Sequence, residues 1–237
     1  KGIAILFLVA VLWMTEALPL PITALLVPVL ASFSGLLSPA AAFTNFANPI
    51  IFLFLGGFVL AAALSKYRID RWVATTLISF SGGNFIKAAI LLMIASALIS
   101  MWVSNTSTAA MMLPMGLGLL ALTNRIGESR EAPFLLLGLA YAANIGGVAT
   151  LIGSPPNAIG AEALGITFTG WLKYGLPIFF LTFPVLVLIL LWFFKPDKSL
   201  RITLEEQEKE RFHFSPQVKQ LFLIFGLTVL LWVLEAP

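Results

Sequence analysis

The chain has 237 residues, of which 59% are hydrophobic and 11% charged, and a mean hydropathy of +1.00, far above that of soluble globular domains. It contains no cysteine and one histidine, His213, which excludes disulfides, thiolate metal sites and a histidine-based metal centre built within the chain. The net charge of +3 is less informative than where Lys and Arg fall relative to the apolar runs.

Apolar segments run from Ile3 to Leu18, Leu20 to Leu37, Ile50 to Leu64, Phe85 to Val103, Thr106 to Leu122, Pro133 to Leu164, Trp171 to Phe194 and Gln220 to Ala236. Their lengths cluster near those that span a bilayer as helices, about 17 to 25 residues, and they lack the alternation of an outer-membrane barrel. The chain is expected to be an all-α, polytopic membrane protein, multi-pass in a cell membrane, with the lipid bilayer as its first partner. Nothing in it suggests a nucleic-acid partner.

If the connector from Ser65 to Asn84 is cytoplasmic, alternation of the spans fixes every later side. Lys66, Arg68, Arg71, Lys87, Arg125, Arg130, Lys195, Lys198, Arg201, Lys209, Arg211 and Lys219 then all lie on the cytoplasmic side, leaving Lys1 and Lys173 outside. The Glu-rich, Lys- and Arg-containing stretch from Arg201 to Phe214 has the pattern of a solvated or interfacial helix, serving as a linker.

"ILFLVAVLWMTEA" at Ile5 to Ala17 matches "IFGLTVLLWVLEA" at Ile224 to Ala236, with Ile, Leu, Leu, Trp, Glu and Ala coinciding at a constant offset. An odd number of crossings separates the copies, so the second is inverted, a signature of transporters. The chain stops just inside the second copy, so the first half of a doubled protein is expected. Glu16 and Glu235, in the repeated Trp-x-x-Glu-Ala motif, are read as structural. Trp13, Trp102, Trp171 and Trp192 are read as anchors or packing residues.

Two places break the apolar pattern. In "ALISMWVSNTSTAAMMLPM", Ala97 to Met115, Ser100 and Ser104 share a helix face and Asn105 and Thr106 add oxygens at a tip. Neutral oxygens suit a hard monovalent cation. In "ATLIGSPPNAIG", Ala149 to Gly160, the run Gly153, Ser154, Pro155, Pro156 and Asn157 cannot continue a helix, so two half-helices joined by a loop are expected. Such breaks are tolerable at membrane depth only where they line a cavity or bind something.

A half-helix N-terminus favours an anion. Apart from Lys87, no charged residue lies between Phe85 and Leu122, and none lies from Pro133 to Ile159. An anion there would therefore depend on dipoles, hydroxyls and co-bound cations. Ser107, Thr108, Thr150 and Asn144 are read as hydrogen-bonding glue between membrane helices. An intramembrane enzyme is disfavoured, because no paired acids and no nucleophile with its base lie at membrane depth.

With "SNTSTAAMMLP" at Ser104 to Pro114, "IGSPPNAI" at Ile152 to Ile159 and "LWMTEALPLPITALL" at Leu12 to Leu26, the chain resembles the divalent anion/sodium symporter family of sodium-coupled di- and tricarboxylate transporters. The resemblance corresponds to the first half of such a protein. It implies an inverted-repeat transporter with a re-entrant hairpin and a broken helix, working by an elevator mechanism on a homodimeric scaffold.

The resemblance also implies sodium ligands at Ser100, Ser104, Asn105 and Gly153, and substrate-carboxylate contacts at Asn105, Thr106 and Ser154. Many members carry Thr where this chain has Ser154. The implied division is scaffold helices over 1–81, a transport domain over 82–194, and over 195–237 a cytoplasmic linker with the first helix of the second repeat. The activity implied is symport of Na⁺ with a small dicarboxylate such as succinate, malate or fumarate. An anion exchanger, a proton-coupled carrier, and an arsenite-type permease or channel are the alternatives.

Overall fold

The computed structural model describes residues 1–123, 130–202 and 214–234. Among them the structure is helical throughout, with one isolated bridge between Asn84 and Arg201. Of the expected interfacial helix, residues 203–213 lie outside the described residues, as does Glu235 of the repeated motif.

The chain forms two compact units, Lys1–Phe52 and Leu53–Pro237. In the first, α1 (Gly2–Thr15) packs on α2 (Leu20–Phe33), and α2 on α3 (Pro39–Thr44), which runs into a 3-10 turn at Asn45–Ala47. The Lys1 ammonium donates to the Ser34 carbonyl at 2.8 Å, tying the start of α1 to the end of α2. Glu16, in a left-handed conformation at the end of α1, is exposed.

The boundary between the units falls within α4 (Pro49–Lys66). The second unit continues with α5 (Ile69–Ser79), α6 (Phe85–Ser100), α7 (Asn105–Ala121), α8 (Glu131–Val148), α9 (Pro155–Ala163), α10 (Phe168–Phe194) and α11 (Pro216–Val233). Helices within Pro39–Lys66, Glu131–Val148, Phe168–Phe194 and Pro216–Val233 are long and apolar enough to cross a membrane. This is the all-α polytopic membrane protein that composition and periodicity predict. The short helices α3 and α5 fall in stretches read from the sequence only as connectors.

Helix starts follow local chemistry. Asn84, Thr167 and Ser215 accept backbone N–H bonds from Lys87, Gly170 and Val218, capping α6, α10 and α11. Pro155 and Pro156 open α9, and Pro216 opens α11, where a missing N–H costs nothing.

The centre of the second unit is α6, flanked by α5, α7 and α8, while α10 packs on α8. Ala88, Ala89, Leu92, Met93, Ala95 and Ala97 of α6 are all buried. Small residues set the helix spacing, as they do between membrane helices. A side chain on Gly146 of α8 would collide with the Ala97 backbone, and one on Gly138 with Met93.

At the far end of α6 from Ser100, the chain leaving α10 straps the bundle together. The Ile202 N–H donates to the Gly83 carbonyl at 2.9 Å and the Phe85 N–H to the Leu200 carbonyl at 3.2 Å. The Asp197 N–H donates to Oε1 of the buried Glu131 at 3.1 Å. The starts of α6 and α8 and the exit of α10 are thereby fastened to one another.

Candidate functional site: a hairpin tip against a broken helix

The limbs α6 and α7 have 16 and 17 residues, so each is about 24 to 26 Å long at 1.5 Å per residue, short of a hydrocarbon core of about 30 Å. Four residues, Met101 to Ser104, turn α6 into α7. Opposite this tip α8 ends at Val148, and α9, nine residues long, starts at Pro155. Each break therefore presents one helix C-terminus, with unpaired carbonyls, and one N-terminus, with unpaired N–H groups.

Asn105 joins the two breaks. Its Oδ1 accepts from the Ser100 hydroxyl at 2.8 Å, and its Nδ2 donates to Asn144 Oδ1 of α8 at 3.1 Å. Gly147 makes room for it, since a Cβ there would overlap Asn105 Oδ1. The side chain is held with its oxygen toward the buried Ser100 and its nitrogen toward the exposed Asn144.

The loop of the broken helix is stitched to the hairpin turn through Thr150. Its hydroxyl donates to the Met101 carbonyl and accepts from the Gly153 N–H at 3.1 Å. Asn157, buried in the first turn of α9, donates from Nδ2 to the carbonyls of Gly147 and Thr150, both at 2.8 Å. One side chain thus satisfies a carbonyl at the end of α8 and one in the loop while fixing the start of α9. Behind the loop, Trp171 Nε1 donates to the Val148 carbonyl at 3.0 Å.

Gly153 sits among backbone oxygens. A Cβ on it would lie 2.5 Å from the Gly147 carbonyl oxygen and 2.9 Å from that of Ser100. Any larger side chain must displace backbone rather than the flexible end of a neighbour. The carbonyls of Ser100 and Gly147 therefore lie beside Gly153, while Asn105 Oδ1, bonded to the Ser100 hydroxyl, lies beside Gly147, so that neutral oxygens collect where the hairpin tip meets the loop. Among the described residues no group of three or more His, Asp or Glu side chains assembles to hold a metal ion.

Of the sequence-derived candidates, Ser100, Asn105 and Gly153 are brought together. Ser104 is occupied by its own helix: its hydroxyl donates to Ser107 Oγ at 2.9 Å and accepts the Ser107 N–H at 3.4 Å as the N-cap of α7. Thr106 stands exposed in the first turn of α7. Ser154, half-buried in extended backbone before α9, makes no side-chain cap bond, so the helix start does not consume its hydroxyl.

Of the residues read as glue, Ser107, Thr150 and Asn144 do bond across or within helices. Thr108 corrects that reading: it is fully buried and its hydroxyl has no partner among the described residues. Gly147 and Asn157 carry no sequence signal separating them from ordinary helix-packing and loop residues. Their roles depend on groups from other turns of the chain. Trp102 packs edge-on against Phe225 of α11, with ring centroids 4.8 Å apart.

The description of the citrate transporter family matches residues 10–236. Over 98% of its length the chain is 46% identical to an uncharacterized transporter of Haemophilus influenzae, covering 50% of that protein. An uncharacterized transporter of Methanocaldococcus jannaschii is 43% identical over 99% of this chain and 52% of its own length. The sodium-dependent dicarboxylate transporter SdcS of Staphylococcus aureus is 32% identical over 98% of this chain and 49% of its own. The chain spans about half the length of the curated relatives it matches. With this coverage, an all-helical membrane fold and a hairpin tip set against a broken helix, the chain belongs to the citrate transporter family of multi-pass membrane transporters, in keeping with its resemblance to the divalent anion/sodium symporters.

Proposed function

We propose that the protein to which this chain belongs is a secondary active transporter that moves a small dicarboxylate, of the succinate, malate or fumarate kind, together with Na⁺. The observation that carries this reading is the set of neutral oxygens where Ser100, Asn105, Gly147 and Gly153 meet beside two helix N-termini, with no cationic side chain among the site residues. A dianion entering such a site meets only partial positive charges from helix ends. Co-bound Na⁺ supplies the full charges it lacks, so sodium binds first and its binding raises affinity for the anion.

In this scheme Ser100, Ser104, Asn105 and Gly153 contribute to the sodium site. Asn105, Thr106 and Ser154 face the substrate carboxylate. Asn105 can serve both ends because its amide oxygen suits the cation and its amide N–H the carboxylate. Ser104 Oγ uses its hydrogen and one lone pair on Ser107 and keeps a second lone pair to offer the cation. Coupling then follows from one side chain shared by two substrates.

Residues 82–194 act as the transport domain, 1–81 as scaffold in a homodimer, and 195–237 as linker plus the first helix of the inverted repeat. Movement is of the elevator kind. The mutual packing of α6, α7, α8 and α10 supports treating them as one body, and the strap at their far end adds to that support.

The test is uptake of labelled succinate into proteoliposomes containing the full-length protein, with an inward sodium gradient and with potassium in its place. Saturable uptake that requires sodium is expected. Equal uptake in potassium, driven instead by a pH gradient or by internal anion, would assign the fold to proton coupling or exchange. Flux that does not saturate would indicate a channel. Because the family description is that of citrate transporters, citrate is the first competitor to include, and stronger competition by citrate than by succinate would make the substrate a tricarboxylate.

A further inference from the structure

Thr108 stands out among the threonines of the helices. Thr15, Thr44, Thr75, Thr182 and Thr228 each donate to the carbonyl four residues back, at 2.7 to 2.9 Å. Thr23, as fully buried as Thr108, still reaches the Pro19 carbonyl at 3.5 Å. This bond is the usual refuge of a hydroxyl inside a helix. Thr108 does not use it, although the backbone beneath is regular, its own N–H donating to the Ser104 carbonyl at 2.9 Å. A fully buried hydroxyl without a partner costs about 1–3 kcal/mol. Such a group in a native fold calls for an explanation, and a bound water or ion is one that satisfies it.

Its location limits what that ligand is. Helical spacing puts Asn105, Thr108, Met112 and Gly116 on one face of α7. Asn105, at one end of this face, bonds to Ser100 of α6 and Asn144 of α8. Gly116, at the other end, packs against Leu139 and Leu135 of α8. Thr108 lies between them, one turn inward from Asn105, in the seam of α6, α7 and α8. Ala97 of α6, Met112 of α7 and Ala142 of α8 are all fully buried apolar residues of these three helices.

We propose that the Thr108 hydroxyl is a further oxygen of the cation end of the site, closing it on the inner side behind Asn105 and Ser100. The assignment rests on the sodium-coupled reading above and adds to it a ligand on the second turn of α7. A hydroxyl can direct a lone pair to a hard monovalent cation without carrying charge itself. Placed behind Asn105 Oδ1, it lets the ion shed more of its water while the outer side stays open to the substrate.

The experiment uses the full-length protein and Thr108→Val, which keeps the shape and removes the hydroxyl, with Thr108→Ser as its partner. Sodium is the probe, read both as the half-saturating concentration for succinate uptake and as the rise in thermal midpoint in detergent when sodium replaces potassium. The valine variant is expected to need about tenfold more sodium, the effect of losing one oxygen bound to a charged group. The serine variant should keep the wild-type sodium dependence.

An unchanged sodium requirement in Thr108→Val, even with altered stability, overturns the assignment and leaves the hydroxyl as a water site or a packing defect. A loss in Thr108→Ser equal to that in Thr108→Val overturns it in favour of shape alone. If wild type shows no sodium effect in either readout, sodium coupling and this assignment fall together. If wild type responds to sodium, Asn105→Ala abolishes the response and Thr108→Val does not change it, this assignment alone fails.

Discussion

Asn105 is the residue through which the hairpin and the broken helix meet, and its two hydrogen bonds point to different chemistries. Asn105→Ala removes the oxygen offered to Ser100 and the N–H offered to Asn144. We predict that sodium-dependent succinate uptake falls at least about a hundredfold, the scale of losing a half-buried polar group that serves two ligands. Wild-type uptake in this variant would remove Asn105 from the site. Gly147→Ala tests the same residue from the other side, because the added methyl overlaps Asn105 Oδ1. Transport should drop while the α8 side of the core stays folded, checked by size-exclusion profile and thermal midpoint.

Asp70 makes a separate case at this scale, in α5 within the connector between α4 and α6. Burial pushes its carboxyl above the usual range, against the lowering effects of backbone N–H bonds and of Arg68 and Arg71, and Oδ1 has no hydrogen-bond partner among the described residues. A carboxyl whose pKa is higher folded than unfolded binds more protons in the native state. Stability should therefore decline as pH rises from the ordinary aspartate value through the raised one. Asp70→Asn should flatten that slope and raise the thermal midpoint at neutral pH. An identical pH slope in the variant would show that the burial has no consequence.

At the scale of elements, the broken helix depends on what cannot be helical. Gly153→Val should abolish transport, because its Cβ alone would lie 2.5 Å from the Gly147 carbonyl oxygen. Ser154→Thr should be tolerated, since the half-buried hydroxyl is retained and takes no part in capping α9, and it should shift preference among dicarboxylates in competition assays. Normal transport in both variants would mean that this loop does not form the site. The strap gives an element-scale prediction away from the site. Glu131→Ala removes the acceptor of the Asp197 N–H and should lower stability by about 1 to 3 kcal/mol in denaturant titration, with little change in sodium affinity.

At the scale of the whole molecule, the second unit is organised around α6, whose one charged residue, Lys87, is exposed at its start. Packing of small residues, Gly146 against Ala97 and Gly138 against Met93, brings α6 and α8 close enough for the ends of both to share one site. Large apolar side chains on α10 and α11, including Phe180, Leu181, Trp192 and Leu231, remain exposed, as lipid-facing or partner-facing surfaces of a membrane protein do. Order of binding is the property that belongs to this scale. Succinate should bind measurably only with sodium present, and a calorimetric titration of the full-length protein showing equal succinate affinity in potassium would contradict charge compensation.

The sequence by itself determined the membrane class, the helical spans and the two breaks. These are local properties: twenty apolar residues span a bilayer, and Gly-Ser-Pro-Pro cannot carry a helix, whatever surrounds them. It also restricted the candidate site to neutral groups, because no acidic or basic side chain lies near Ser104 to Thr106 or Gly153. Only the tertiary structure decided which of those oxygens meet. Asn105 reaches Asn144, Thr150 reaches Met101 and Glu131 reaches Asp197 across tens of residues, distances at which hydropathy patterns carry no register. The same packing turned Ser104 back onto its own helix, placed Gly147 where only hydrogen fits, and left the Thr108 hydroxyl buried with no partner among the described residues. The physical reason is that a side chain's type is written locally, whereas its partners depend on how closely two helices approach and at what rotation.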